Sequence, residues 1–248
     1  KFKILKKKIL YFLKKNKKKY DLIIIFKGIY LNKSTLLNIK KIQNSSKFIN
    51  IFTDDPFNVF NPTISNKNFF KLINYFDFFC IWSKKIESKL NKKFKNLRTV
   101  YLPFGYDSIQ KYNFNKNYRS NKNQILFVGT FEKDRLKILK KIKLKKVIYG
   151  GNWKRILQKG MINAEINNHV HGKKLHELIS KSKISLNILR KQNLASHNMR
   201  TFEIPGCNGL MLTTRTKEQN EFFRENKACY MFSNTAELNK KIKFILEN

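Results

Sequence analysis

The 248 residues carry 53 Lys and Arg against 16 Asp and Glu, a formal charge of +37, but 45 of the basic residues are Lys and only 8 are Arg. Proteins that read phosphates and base edges lean on the planar arginine fork, and no arginine cluster interleaved with aromatics is present, so the composition argues against a specific nucleic-acid partner. Cys80, Cys207 and Cys229 lie far apart among apolar neighbours and indicate neither a disulfide framework nor a zinc site, and no apolar run approaches the roughly 18 residues of a membrane span.

Lysine here accompanies abundant Asn, Ile and Phe, as in a proteome biased towards A- and T-rich codons, so most of the charge reads as solvated surface. A cationic surface would still hold the protein near anionic lipid or a polyanionic product. The cysteine usage fits a reducing cytoplasm. No signal peptide is legible, and the chain begins at Lys1 rather than Met.

Phe2, Leu5, Ile9 and Phe12 recur at spacings of three and four among lysines, which predicts an amphipathic helix over 2–19. Packing on a sheet is the favoured placement, because a strand follows at once; a membrane-surface helix is the alternative. Asp21 to Lys27 is a continuous apolar run, the pattern of a parallel strand covered on both faces, and Gly28 ends it. Helical spacing around Leu36 to Ile42 precedes a strand over 48–53 that closes on Thr53-Asp54-Asp55-Pro56. Two more units follow, a helix over 68–74 into a strand over 76–82, and a helix from Ser83 to about Leu90 into a strand over 98–102.

Strand and helix alternate throughout, which predicts an α/β chain with an open parallel sheet and helices on both sides. Ligands of such sheets sit at the carboxyl ends of the strands. Lys27-Gly28, Asp54-Asp55, Trp82-Ser83 and Pro103-Phe104-Gly105 are all strand ends. Asp54 and Asp55 either cap the turn and the next helix, or one of them orients a hydroxyl in a cleft.

Asp107 to Asn123 is polar and aperiodic, which predicts a linker and a domain boundary near residue 120. A second alternating series begins with a strand over 124–128 and the tight turn Gly129-Thr130. A helix over 133–141 follows, with Arg135 in its opening turn, and then a strand over 146–149 that ends in Gly150-Gly151-Asn152-Trp153. The paired glycines there let a ligand or another backbone approach closely. His169 and His171 are placed on one strand face, with no third metal ligand nearby in sequence. After a helix over 174–181 and a strand over 183–189 comes the stretch Asn198 to Thr216.

That stretch holds Arg200, Glu203, Pro205, Gly206 and Gly209 ahead of the apolar run 210–212, the layout of a short helix turning into a buried strand. Pro205 suits a first helical turn, which would put Arg200 and Glu203 at the helix N-terminus. Exposed amides, a partial positive charge and an arginine fork make an anion seat, and the carboxylate suits a vicinal diol such as a ribose edge. The alternative is an i, i+3 surface pair. The chain closes with a helix over 217–225, a strand over 229–232 and a helix from Thr235 capped by Ser233 or Asn234.

Taken in order, Lys27-Gly28, Thr53-Asp54-Asp55-Pro56, Leu102-Pro103-Phe104-Gly105-Tyr106-Asp107, Phe127-Val128-Gly129-Thr130 with Arg135, Tyr149-Gly150 with Trp153, Ser185-Leu186-Asn187, and Met199 to Pro205 resemble the GT-B glycosyltransferases. The likeness is to the group-1 type with a spore-maturation-like (CgeB-like) C-terminal half. It implies two Rossmann-like domains facing a cleft, residues 1–120 on the acceptor side and 121–248 binding the nucleotide sugar, the first domain lacking its opening strands.

The same resemblance implies sugar transfer from a nucleotide-diphosphate sugar to a glycan, lipid-linked or protein acceptor, without metal or other cofactor and with retention, in cell-surface polysaccharide biosynthesis. Glu203 would take the ribose, with Arg200 and Arg135 at the diphosphate. Gly129, Thr130, Gly150, Trp153, Asn187, His197 and Asn198 would line the donor side, and Lys27, Gly28, Asp54, Asp55 and Gly105 the acceptor side. Two positions depart from the family: Ala195 stands where related enzymes carry a second glutamate, and Asn208 where glycine is common. The location implied is cytoplasmic, with peripheral contact at the inner face of an anionic membrane. A basic nucleic-acid-binding protein and an inactive nucleotide-sugar-binding remnant are the competing readings.

Overall fold

The computed structural model describes residues 2–29, 31–57, 69–107, 121–154, 160–193 and 195–248. The chain divides after Pro103 into two compact units, Lys1–Pro103 and Phe104–Asn248. Most of the stretch expected as a linker, residues 108–120, lies outside the described residues, and its last three residues already belong to a strand.

The first unit runs α1 (Phe2–Asn16), β1 (Leu22–Phe26), α2 (Lys33–Ile42), β2 (Lys47–Phe52), a 3-10 turn (Ile73–Tyr75), β3 (Phe78–Ile81), α3 (Lys84–Lys93) and β4 (Thr99–Tyr101). Its four strands are parallel, in the order β1-β2-β3-β4. Local chemistry marks the joints. Asn32 Oδ1 accepts from the Thr35 N–H at 2.8 Å and caps α2, and Asp77 Oδ2 accepts from the Phe48 N–H at 2.7 Å. Phe52, Phe69 and Phe79 pack ring to ring at the centre, with centroids 4.7 to 6.0 Å apart, while α3 adds Ile86 and Leu90 to the core.

Two expectations for this unit need correction. The run Leu22–Phe26 is not covered on both faces: Leu22, Ile24 and Phe26, on one face of β1, are exposed, and among the described residues β1 pairs with β2 alone. An apolar run shows that a strand tolerates burial; whether it is buried depends on what lies beside it in space. The helix expected over 68–74 begins outside the described residues, and its described part has given way by Ile73 to a 3-10 turn.

The second unit holds β5 (Asn121–Val128), α4 (Lys133–Lys140), β6 (Lys146–Tyr149), β7 (Ala164–Asn167), α5 (Gly172–Lys181) and β8 (Ser182–Asn187). It continues with a 3-10 turn (Lys191–Asn193), α6 (Arg200–Gly206), β9 (Met211–Thr214), α7 (Lys217–Phe222), β10 (Tyr230–Phe232) and α8 (Thr235–Glu247). All six strands are parallel, in the order β10-β9-β8-β5-β6-β7.

Alternate residues serve the two faces of this sheet. Ile125, Phe127, Ile148, Ile184, Leu186 and Leu212 pack on one side against Leu139 of α4 and Leu238, Ile242 and Ile245 of α8. Leu126, Met211 and Met231 pack on the other against Leu175 and Ile179 of α5 and Ile204 of α6. Each such side chain taken fully from water contributes about 1.5–3 kcal/mol. The histidine placement is also corrected: β7 ends at Asn167, so His169 and His171 lie in the loop before α5, where their rings stack nearly parallel with centroids 6.1 Å apart.

Candidate functional site

The order of the second sheet decides where a ligand can sit. The chain builds outward from β5 through β6 to β7, then crosses back to lay β8 on the other side of β5. The connections after β5 and β8 therefore leave in opposite directions at the carboxyl ends of these strands, the switch point at which open α/β sheets bind ligands. Gly129-Thr130 follows β5, and 188–190 follow β8.

Arg135, at the third position of α4, is buried at this point. Its Nε and Nη2 donate to the Ile188 carbonyl at 3.1 and 2.9 Å, and its Nη1 donates to the Thr130 carbonyl at 3.0 Å. The guanidinium thus ties together the two strand ends that flank the switch point. Burial lowers its pKa to about 10; Glu132 raises it, and the neighbouring Arg190 and Arg200 lower it. Arg135 is charged at neutral pH all the same, and it feels the charges of Arg190 and Arg200 nearby.

Arg190 was missed in the sequence. It directly follows the β8 segment, and its Nε lies 3.0 Å from Glu132 Oε1. A cation at a strand end was the available signal.

The loop after β6 packs beneath Gly129. At Gly150, φ is +151°, and an added Cβ would lie 2.1 Å from the Gly129 carbonyl oxygen. Only glycine allows that approach. Trp153 is fully buried, and its indole N–H donates to the same carbonyl at 2.7 Å. Its place is therefore below the Gly129-Thr130 turn, which it holds, rather than on a ligand-facing wall.

On the β8 side, a buried polar network anchors the start of α6. Asn187 Oδ1 accepts from Asn198 Nδ2 at 2.9 Å, and Asn198 Oδ1 accepts from the Thr201 N–H at 3.1 Å. Gln219 Oε1 accepts from the Thr201 and Thr213 hydroxyls at 2.8 and 3.0 Å and from Asn187 Nδ2 at 3.3 Å. Asn187 and Asn198 thus fix the helix to the strand end.

His197 is likewise internal. Its Nε2 accepts from the Phe104 N–H at 3.2 Å, so Nδ1 carries the proton donated to Glu218 Oε2 at 3.0 Å, while the Ser196 hydroxyl reaches the same oxygen at 2.5 Å. This pins the Phe104-Gly105-Tyr106 segment to the second unit. Gly105 itself is uncrowded, with nothing within 4 Å of an added Cβ.

Arg200 and Glu203 stand at the first and fourth positions of α6 and form an ion pair through Arg200 Nη1 and Glu203 Oε2. The spacing is the i, i+3 one that a surface pair would have, but the side chains are only 23% and 15% exposed. Arg200 Nε is buried without a hydrogen-bond partner, and burial lowers the pKa of this guanidinium. Pro205 is not in the first turn as expected: α6 begins at Arg200, which places the proline in the second turn. The seven-residue helix ends soon after, so only one of its hydrogen bonds is lost to the missing N–H.

In the first unit, Lys27 Nζ meets Asp54 Oδ2 at 2.5 Å, and Asp55 Oδ1 caps its own turn by accepting from the Phe57 N–H at 2.9 Å. Asp55 thus fits the capping reading, while Asp54 is held by Lys27. Gly28 takes φ +69° directly after Lys27 at +57°, so the backbone turns sharply away from β1.

Residues 133–248, just under half of the chain, match a family profile described as glycosyl transferase-like. Solved structures resemble the whole of it. TarM of S. aureus, in complex with fondaparinux, α-GlcNAc-glycerol and UDP, is 12% identical with a TM-score of 0.68, over 96% of this chain and 51% of its own. A UDP-forming trehalose-phosphate synthase from Burkholderia xenovorans is 12% identical with a TM-score of 0.64, over 99% and 69%. The fold is GT-B.

HepE of Anabaena, solved with UDP and glucose, is a further GT-B neighbour at 10% identity, TM-score 0.61, over 96% of this chain and 71% of its own. The chain spans about half the length of the TarM structures it matches. No curated protein matches in sequence. Each half of the GT-B architecture is represented by one of the two parallel sheets, and the profile match falls wholly in the second unit, which carries the arginines and Glu203.

Proposed function

We propose that this protein is a glycosyltransferase that moves a sugar from a nucleoside-diphosphate sugar to a glycan, lipid-linked or protein acceptor, with retention and without a metal. The observation that carries the reading is the gathering of Arg135, Arg190 and Arg200, with the Glu203 carboxylate, at the switch point of the second sheet. Cations collected together, Arg135 and Arg200 largely buried and Arg190 more open, suit a ligand that brings concentrated negative charge, and a carboxylate among them suits the hydroxyls of an attached ribose.

In this reading Glu203 accepts hydrogen bonds from the ribose edge, and Arg200 turns its Nε and Nη donors to the diphosphate. Arg135 supplies charge while holding the two strand ends in place. As the bond to the sugar breaks, negative charge builds on the leaving diphosphate, where preorganised cations stabilise it most. The cationic groups can meet that charge by themselves, which is the basis for expecting turnover in EDTA to equal turnover in magnesium. Lys27, Gly28, Asp54 and Asp55 are assigned to the acceptor. The UDP found with TarM and HepE makes a uridine donor the first to test.

A thermal-shift panel of uridine, guanosine, adenosine and thymidine diphosphates, followed by donor-sugar turnover, tests this. One nucleotide should raise the melting temperature, since a ligand of the folded form stabilises it. Charge-assisted hydrogen bonds of about 1.5–3 kcal/mol imply that Arg200→Ala slows turnover by about one to two orders of magnitude. Glu203→Ala should chiefly weaken nucleotide binding. Full turnover in both variants would overturn the assignment.

A further inference from the structure

Gly206 is the last residue of α6, and its backbone is helical, without the positive φ that would call for glycine. Alanine is the better helix residue at such a position, so the glycine has another cause. That cause is a ring. A Cβ added at Gly206 would lie 2.6 Å from Cγ and Cδ1 of Tyr106 and 2.8 Å from its Cδ2, so the Tyr106 ring rests directly on the helix backbone. The Tyr106 hydroxyl hydrogen-bonds the sulfur of Cys207, the next residue along.

Tyr106 is itself held in place. Two residues earlier, the Phe104 N–H donates to His197 Nε2 at 3.2 Å, and His197 is fixed in turn by Glu218 at 3.0 Å. On its other side, the Tyr106 ring centroid lies 5.8 Å from that of His176, a buried residue of α5. The ring therefore bears on α6 from a braced position. Arg200, Glu203 and Cys207 follow one another at spacings of three and four along that helix and share one face. Arg200 Nε is buried without a hydrogen-bond partner among the described residues, so beyond the ion pair with Glu203 the guanidinium sits where the helix puts it.

We propose that Tyr106 is a positioning residue for the nucleotide: seated on Gly206, its ring fixes where α6 lies and so where Arg200 and Glu203 meet the diphosphate and ribose. The proposal rests on the donor reading of those two residues and adds to it the group that holds them in register.

Calorimetric titration of the full chain with uridine, guanosine, adenosine and thymidine diphosphates in turn, well below the melting temperature of each variant, tests this. Tyr106→Ala removes the ring, Gly206→Ala drives a methyl group into it, and Tyr106→Phe keeps the ring while removing the hydroxyl. The first two should each bind the nucleotide that wild type binds about tenfold more weakly, since small misplacements of charged contacts are costly. Tyr106→Phe should bind like wild type. When Tyr106→Ala and Gly206→Ala are combined, the methyl group has nothing to strike, so the double variant should be no weaker than Tyr106→Ala alone. Should either single variant fail to fold, Tyr106→Leu takes its place, with the same loss expected relative to Tyr106→Phe. A lowered melting temperature with wild-type affinity would make Tyr106 a packing residue only and overturn the proposal. Additive losses in the double variant would overturn it too, as would a Tyr106→Phe loss equal to that of Tyr106→Ala. If wild type binds none of these nucleotides, the donor reading itself fails and the proposal with it.

Discussion

Single side chains in the second unit do work that their residue type does not announce. Trp153 has the large apolar body of a core residue, yet its indole N–H holds the carbonyl of Gly129 at the mouth of the switch point. Trp153→Phe keeps most of the packing and removes that hydrogen bond, leaving a buried carbonyl short of a partner at a cost of about 1–3 kcal/mol. Under the proposed function, a melting curve should record that loss, and a titration with the nucleotide identified by thermal shift should show weaker binding in the same variant. Unchanged nucleotide affinity would mean that the Gly129 turn plays no part in holding the donor.

Asn208 shows how one residue satisfies a need usually met by another. It takes φ +56° directly after α6, the Asn208 N–H bonds to the Pro205 carbonyl, and the Gly209 N–H bonds to the Ile204 carbonyl, both at 2.9 Å. This is the Schellman ending, whose left-handed position favours glycine, and asparagine is the side chain that tolerates it next best. The departure from the family pattern noted at this position is therefore conservative in backbone terms. Asn208→Gly should leave stability unchanged or slightly raised, whereas Asn208→Val should lower it by about 1–2 kcal/mol, read from urea midpoints.

At the scale of elements, one arginine joins three of them. Arg215, just after β9, reaches Glu225 after α7 and Glu237 in the first turn of α8. The hydrogen bond from Arg215 holds the Glu237 carboxyl down at about 2, with the Ser233 N–H assisting at 2.8 Å. A carboxyl depressed on folding contributes stability that is complete above its unfolded pKa, near 4.3, and is lost as the pH falls through its folded value. The window is therefore about pH 4.5 down to about 2. Because the pair is partly open to water, its contribution is about 1–2 kcal/mol after screening. Glu237→Gln should lower the urea midpoint at pH 7, and the difference from wild type should shrink as the pH approaches 2.

Elements were also where the sequence could be read best. The 3.6-residue spacing and the short apolar runs identified most helices and strands, because amphipathicity is a local property of the chain. The Asn234 cap of α8 was legible too, its Oδ1 accepting from the Glu237 N–H at 2.9 Å. The misplacements occurred where local pattern and spatial neighbourhood disagree, as at Leu22–Phe26 and in the loop holding His169 and His171.

At the scale of the whole molecule, the two compact units have separate sheets and separate cores, the first built around Phe52, Phe69 and Phe79 and the second around Phe127, Ile184 and Leu212. Two such units should unfold in two calorimetric transitions rather than one. The nucleoside diphosphate should move only the transition of the unit that carries Arg135, Arg200 and Glu203. A single transition, or a ligand that shifts both equally, would contradict this picture.

The sequence by itself determined the class of fold, the order of strands and helices, and the stretch around Arg200 and Glu203, because periodicity, turn residues and motif order are written residue by residue. Only the tertiary structure decided that Trp153, Asn187 and His197 face inward, that Arg190 joins the cationic group, and that one face of β1 is exposed. Those outcomes depend on which strands are neighbours in space: the crossover that sets β8 beside β5 brings together groups more than fifty residues apart, and no local pattern encodes that adjacency.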